Sequence, residues 1–187
     1  MKKKVTVLFS GGIDSTACLH YYLSHNYSVL GLFVDFGQKS AKKEFDAVKN
    51  ISKYFKIEFN SIQFSEYPYE TSGKINGRNL LLLSAALFYS KYTSGIIALG
   101  IHSGTSYPDC DQSFIDSVQH TFDIYMDGKV QIECPFINFE KKEIYKYCID
   151  SNIPLELTYS CEMGAKQPCG QCLSCKDLIA LYEIKNP

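Results

Sequence analysis

Two groups of residues in this sequence have the types and spacing to do chemistry. The first is Ser10-Gly11-Gly12-Ile13-Asp14-Ser15-Thr16, which lies between a short apolar run at 5–9 and a helical pattern. Glycines let a backbone approach an anion closely, and the helix that follows offers unpaired N–H groups and the positive end of its dipole. Ser10, Ser15 and Thr16 add hydroxyl donors to the same place. Asp14 is the odd member, because a carboxylate repels phosphate unless a cation intervenes; a magnesium ion between Asp14 and a polyphosphate resolves the conflict. The loop lacks the Lys-Ser/Thr ending of a Walker A motif, and its glycine spacing is not that of a dinucleotide fingerprint. The plain structural alternative is a tight turn in which Asp14 or Ser15 caps the helix.

The second group is Cys161-x7-Cys169-x2-Cys172-x2-Cys175, four of the eight cysteines in the chain. Soft thiolates suit zinc, which takes four of them tetrahedrally at about 2.3 Å in structural sites. Gly164, Pro168 and Gly170 let the chain turn tightly around an ion. An iron–sulfur cluster is the competing metal reading, since Cys169, Cys172 and Cys175 match the start of a ferredoxin run, but the next cysteine and its proline are missing. Zinc is preferred, and free thiols come third.

The rest of the chain must position these groups. At 187 residues it fits a single α/β domain, 1–187, with the cysteine segment, 158–178, appended to it. A formal net charge of −1 argues against partners held by many phosphate contacts, so nucleic acid is disfavoured. No apolar stretch approaches the length of a membrane span. The basic start and the run at 5–9 do not make a signal peptide, so a cytoplasmic location is expected.

Apolar patterning predicts strands at 5–9, 28–35, 57–64, 95–101 and 130–134. It predicts helices at 15–24, 41–55, 79–92, 111–126 and 140–151. Continuous apolar strands alternating with helices predict a doubly wound, five-stranded parallel sheet. In such sheets ligands bind beyond the carboxyl ends of the strands, where the strand order switches.

Ser10-Gly11-Gly12-Ile13-Asp14-Ser15 resembles the SGGxDS signature of the ATP-pyrophosphatase superfamily. Those enzymes cleave ATP between its α- and β-phosphates and transfer AMP to an oxygen of the substrate. Together with the four cysteines, the sequence resembles the 7-cyano-7-deazaguanine synthase (QueC) family. Asp35-Phe36-Gly37-Gln38 is similar to that family's D-Y-G-Q, Gly77-Arg78-Asn79 to its P-G-R-N, and Tyr107-Pro108-Asp109-Cys110 to its Y-P-D-C. Thr158-Tyr159-Ser160-Cys161 and the Cys169–Cys175 motif complete a resemblance that spans essentially the whole chain.

The resemblance implies ATP with magnesium and a structural zinc. The implied reaction adenylates 7-carboxy-7-deazaguanine, displaces AMP with ammonia to give an amide, and dehydrates the amide to a nitrile. It places ATP against Leu8, Phe9, Ser10, Gly11, Gly12, Asp14, Ser15, Thr16, Phe33, Asp35, Arg78 and Gly100, with Asp14 on magnesium and Gly100 letting an adenine edge approach. Asp14 and Arg78 are the implied catalytic residues. Arg78 is a phosphate or carboxylate clamp or, alternatively, half of an ion pair at a helix start. Tyr107, Pro108 and Asp109 are placed at the purine-like ring, and Cys110 is a small buried residue rather than a nucleophile.

Several positions depart from the family pattern. The lead-in to Tyr107 is His102-Ser103-Gly104-Thr105-Ser106, and Asp111, Leu178 and Glu162 replace an arginine, an arginine and a tyrosine. Relatives of the family occur in antiphage gene clusters, so a protein amine is an alternative to ammonia as nucleophile. An RNA-thiolating sulfurtransferase of the same superfamily is a further alternative, and a non-catalytic nucleotide sensor another. The partners implied are ATP, a deazaguanine-type carboxylate and ammonia or a protein amine, with a homodimer as a candidate assembly.

Overall fold

In a computed structural model, described over residues 2–64, 75–89, 94–102, 104, 105 and 107–185, β1 (Lys4–Leu8) forms the centre of a parallel sheet. It pairs with β2 (Ser28–Asp35) on one side and β4 (Gly95–Ala98) on the other. Beyond β2 lies β3 (Glu58–Gln63), and beyond β4 lies β5 (Val130–Glu133), giving the order β3-β2-β1-β4-β5. The chain winds outward in one direction through α1 (Ile13–Ser24) and α2 (Ala41–Phe55). It then returns across β1 through α3 (Arg78–Tyr89) and continues through α4 (Gln112–Met126), α5 (Lys141–Asp150) and α6 (Leu173–Lys185). The doubly wound sheet expected from the sequence is present, and the strand order reverses between β1 and β4.

The period of two along each strand divides the core. Val5, Val7 and Phe9 point to one face, where they pack with Ala17, Val48, Ile144 and Cys148 from α1, α2 and α5. Leu8, Leu32, Val34 and Ile97 point to the other, against Leu83, Ala86, Ile115 and Phe122 from α3 and α4. Val7, Ala17, Val48, Leu83 and Ile144 are completely buried. Each large apolar side chain so placed stabilises the fold by about 1.5–3 kcal/mol.

The boundaries that differ from expectation bear on the site. Helix α1 begins at Ile13 rather than at 15, so Asp14, Ser15 and Thr16 belong to its first turn. Strand β4 ends at Ala98 rather than at 101. The Leu99 N–H still donates to the Glu133 carbonyl at 3.1 Å, but the chain then leaves the sheet to pass α1. Residues 90–92 of the predicted third helix lie outside the described residues. Helix α6 was not expected from the sequence; its start carries cysteines, and its apolar residues keep no strong stripe. No helix among the described residues is long and apolar enough to cross a membrane.

Candidate active site

Helix α1 opens without a side-chain cap. Gly12 is its N-cap and no side chain accepts from its leading amides. Neither Asp14 nor Ser15, the alternative caps, plays that part; Ser15 and Thr16 donate their hydroxyls back to the Gly12 carbonyl, at 3.1 and 2.7 Å. Ser10 Oγ lies 3.2 Å from Ser15 Oγ. The helix therefore presents its N–H groups and positive dipole end to what lies in front of them, the arrangement that binds an anion. In front is a cavity of about 520 Å³ at the carboxyl ends of β1, β2 and β4, a size that holds a small-molecule ligand.

Of the residues that the resemblance places at the ligands, Leu8, Phe9, Ser10, Gly12, Asp14, Ser15, Arg78, Gly100 and Tyr107 border this cavity. Six other expected residues are not on its wall. Gly11 instead packs its bare Cα against α2, where an added Cβ would sit 2.8 Å from Ala47 Cβ. Thr16 is fully buried, with its hydroxyl engaged as above. The alternation of β2 turns the Phe33 side chain to the opposite face, 5.4 Å from the Phe45 ring between centroids, while Leu32 and Val34 face the cavity. Asp35 accepts from the Gly37 N–H at 2.9 Å and shapes the turn after β2. Pro108 opens a 3-10 turn, Pro108–Cys110. Asp109 binds Asn79 through its carboxylate at 3.3 Å and its carbonyl at 2.9 Å, tying that turn to the start of α3.

Two expected roles change in detail. A Cβ on Gly100 would come within 2.6 Å of the Asp14 carbonyl oxygen, so the backbone of α1 already requires a glycine at this place on the cavity wall. For Arg78, Nε donates to Asn79 Oδ1 at 3.4 Å, and among the described residues it makes no ion pair. The guanidinium is thus open to the cavity. Ser103 and Ser106 lie outside the described residues.

Lys141 and Glu44 are charged wall residues that were not singled out from the sequence, and His102, noted there only as a departure from the family pattern, stands on the same wall. Lys141, the first residue of α5, places Nζ 2.6 and 2.5 Å from the two carboxylate oxygens of Asp14. A lysine in the first turn of a helix opposes the macrodipole, and that misplacement is the one sequence signal that could have marked it. His102 is buried, and its Nδ1 accepts from the Gly104 N–H at 3.1 Å. Burial lowers its pKa from the ordinary 6.5, offset in part by the Asp14 carboxylate and reinforced by Lys141. Glu44, from the first turn of α2, accepts from Gln38 Nε2 at 2.8 Å and from Ser40 Oγ at 2.7 Å. Burial pushes its carboxyl up, against the pull of those two hydrogen bonds and of the Arg78 guanidinium.

The departing positions divide by location. Glu162 and Leu178 border the cavity, as His102 does. The Glu162 carboxylate accepts from the Ser174 hydroxyl at 3.0 Å and from its N–H at 3.3 Å. Asp111 has a local task instead, capping α4 through the Phe114 N–H at 2.8 Å.

The four clustered cysteines come together as their spacing implies: their sulfurs all lie within 4.8 Å of one another. Four thiolates at tetrahedral corners about 2.3 Å from an ion would be roughly 3.8 Å apart, and Cys169 Sγ lies 3.9 Å from Cys175 Sγ. Backbone N–H groups of Gln171 and Cys172 point at Cys169 Sγ, at 3.5 and 3.4 Å, and hold its thiol down at about 6. The cluster can hold a metal. It is also fastened to the cavity: the Tyr159 N–H donates to the Gly11 carbonyl at 2.9 Å, and Gly164 packs bare against the Lys39 carbonyl. The cysteines elsewhere are of another kind. Burial raises the thiols of Cys18 and Cys110 and pushes those of Cys134 and Cys148 up to about 12. None of these is a ready thiolate at neutral pH.

Comparison with known proteins gives matches over most of the chain. A family model described as queuosine biosynthesis protein QueC matches residues 4–69 and 69–181. A 7-cyano-7-deazaguanine synthase of Acetivibrio thermocellus is 32% identical, the match covering 92% of this chain and 90% of that protein. A 7-cyano-7-deazaguanine synthase of Prochlorococcus marinus is 30% identical, covering 97% of this chain and 94% of that protein. Among solved structures, the U34-tRNA thiolase NcsA from Methanococcus maripaludis, with its [4Fe-4S] cluster, superposes at a TM-score of 0.58. It covers all of this chain and 68% of that one, at 19% identity. A 4-thiouridine synthetase in complex with RNA and bound ATP gives 0.54 at 15% identity, covering 97% of this chain and 50% of that one. At these identities the likeness is one of fold.

Proposed function

The chain belongs to the QueC family, and from that premise we propose that it adenylates a 7-carboxy-7-deazaguanine-type carboxylate with ATP and converts the adenylate to an amide with ammonia. The dehydration of that amide to the nitrile is the last step of the proposal. The observation that carries this reading is the uncapped α1 N-terminus facing a cavity at the β1–β4 switch point, with Asp14 and Arg78 on its wall.

A carboxylate is a poor electrophile at neutral pH, and joining one of its oxygens to AMP makes that oxygen a leaving group. The residues present can supply positioning and charge neutralisation, the two effects such a transfer needs. The α1 amides and the hydroxyls of Ser10 and Ser15 would hold the departing pyrophosphate. Arg78 would clamp a phosphate or the substrate carboxylate through its planar fork. Leu8, Leu32, Val34 and Leu99 offer an apolar wall for a base, and Tyr107 a ring to stack on the second heterocycle. Asp14, a wall carboxylate that already holds a cationic group, would bind magnesium, which screens phosphate charge when present. The cysteine site would hold zinc in a structural role, since four thiolates leave no open position.

Incubating the protein with 7-carboxy-7-deazaguanine, ATP, magnesium and ammonia, and reading products by mass spectrometry, tests the proposal. The expected products are AMP, pyrophosphate and the amide or nitrile. ATP binding with no pyrophosphate release for any carboxylate would overturn it in favour of a sensor.

The second reading, an amine on a protein as nucleophile, rests on the presence of Glu162, Leu178 and His102, all departures from the family pattern, among the residues that line the cavity. A family that carries an arginine at 178 would have a cation there; this chain has an apolar side chain and neighbouring carboxylates. The same incubation with a peptide amine in place of ammonia separates the two. The raised thiols of Cys18, Cys110, Cys134 and Cys148 weigh against the sulfurtransferase alternative.

A further inference from the structure

The Asp14–Lys141 pair stands out because neither partner is placed for its own helix and cavity alike. Lys141 sits in the first turn of α5, where its charge opposes the macrodipole. Asp14 suits the first turn of α1 but faces a cavity built for an anion, where it repels the ligand. Each charge neutralises the other at 2.5–2.6 Å, with only about a quarter of either side chain exposed, 24% for Lys141 and 27% for Asp14. The ammonium contacts both carboxylate oxygens. It therefore covers the donor atoms that a divalent cation at Asp14 would have to use.

We propose that Lys141 is a placeholder cation: its ammonium neutralises Asp14 until nucleotide arrives, magnesium entering with nucleotide displaces it, and the freed ammonium moves to the phosphates. This rests on the reading of the cavity as an ATP site and adds a residue and an order of events to it. Two opposite requirements are met by one side chain. Without a ligand, Asp14 is a partly buried carboxylate in need of a partner. With magnesium on Asp14, Lys141 would face a like charge and must leave. The phosphates in front of α1 are the nearest anionic destination on the same wall, beside Ser10, Gly12 and Ser15. A flexible four-carbon stem ending in a compact charge is suited to such a move, and a planar guanidinium is not. Lys141 is thus a positioning residue for both metal and nucleotide. The ion pair also keeps bare divalent cations off Asp14, so that metal enters with its nucleotide rather than before it.

The test uses the zinc-loaded full chain and manganese as an EPR-visible substitute for magnesium, first without nucleotide. Lys141→Met is expected to take up manganese about tenfold more tightly than wild type, because a charged competitor for Asp14 is gone. Lys141→Arg keeps a cation beside Asp14 and is expected to stay near wild type. With α,β-methylene-ATP, which cannot be split at the α-phosphate, Lys141→Met is expected to bind nucleotide about tenfold more weakly, and Lys141→Arg also less tightly than wild type. A Lys141→Met protein that takes up manganese no more tightly than wild type, or takes up none, overturns the proposal. So does unchanged nucleotide affinity in that variant. Lys141→Gln serves for the same measurements if the methionine variant does not fold. Wild type keeps the two ideas distinguishable: failure to bind α,β-methylene-ATP at all is a failure of the ATP-site reading itself, whereas binding that Lys141 does not influence is a failure of the placeholder alone.

Discussion

Gly100→Ala adds one carbon to a place with no room for it. An ideal Cβ there lies 2.6 Å from the Asp14 carbonyl oxygen, 2.8 Å from the carbonyl carbon and 3.0 Å from the Ser15 nitrogen. All three atoms are backbone, in the first turn of α1, so no rotamer change relieves the contact. Replacing a glycine by alanine where the conformation is unstrained stabilises by about 0.4–1 kcal/mol through the unfolded chain. Gly100 is not held in the left-handed region, so this gain applies in full and sets the sign expected without a clash. Overpacking against backbone costs about 1–3 kcal/mol. These distances, well inside ordinary contact, place Gly100→Ala at the upper end of that range, for a net loss of roughly 2 kcal/mol. In a domain of this size that lowers Tm by about 4–8 °C. Because the shift must move α1 away from β4, the amides facing the cavity move too, and affinity for α,β-methylene-ATP is expected to fall at least about tenfold, as misplaced donors lose their geometry. Gly128→Ala is the control. Its φ is +69° with nothing within 4 Å, so it is expected to cost about 1 kcal/mol in backbone strain and leave nucleotide binding unchanged. Urea unfolding and calorimetric titration of both variants decide the matter. Gly100→Ala as stable as wild type, with undiminished nucleotide affinity, would refute the close approach of β4 and α1.

Thr16→Val removes a buried hydroxyl that donates to the Gly12 carbonyl, which keeps the Thr16 N–H and Ser15 hydroxyl as donors. A loss of about 1 kcal/mol in urea unfolding is expected, rather than the larger penalty of an orphaned carbonyl. Removing metal with a strong chelator, or Cys172→Ser, is expected to lower Tm and also to weaken nucleotide binding, since Tyr159 and Gly164 carry the cluster's order to the loops at 11 and 39. Metal content by mass spectrometry and nucleotide titration report the two effects together. His102 has a folded pKa below its ordinary 6.5, so the unfolded chain binds the proton first. Its share of stability is therefore complete above about pH 6.5 and is lost as pH falls from there through the lowered folded value. Between pH 7.5 and 5.5, wild type is expected to lose more stability than His102→Asn.

The legible parts of this molecule follow from local rules. Strand and helix alternation was readable because β1 and β2 are largely buried on both faces, leaving runs at 5–8 and 29–34 that are apolar except for Thr6 and Gly31. The cysteine cluster was readable because its four members are close in sequence. What stayed hidden is contact between distant segments. Lys141 and Asp14 meet across the two helices that flank the sheet on one face, and nothing in a charge run at 140–143 marks which lysine turns inward. Phe33 and Asp35 were placed beside the ligand by motif, yet the pleat of β2 sends Leu32 and Val34 there instead. Asp109 was placed at the second substrate, while the Asn79 amide at the start of α3 claims it. The motifs located the end of the sheet correctly; strand parity and cross-chain partners decided which of their side chains reach the cavity.

The bond between the Tyr159 amide and the Gly11 carbonyl joins residues that are far apart along the polypeptide. During synthesis the glycine loop leaves the ribosome long before the segment that fastens it, and the parallel strands between them also wait for distant partners. Such long closures are slow. The cavity is thus expected to be finished late, when the cysteine segment gathers and docks at 11 and 39. In a cell short of the metal proposed for this segment, chains are expected to accumulate with a sheet in place and an unfinished mouth, open to proteases at the segment between 159 and 178.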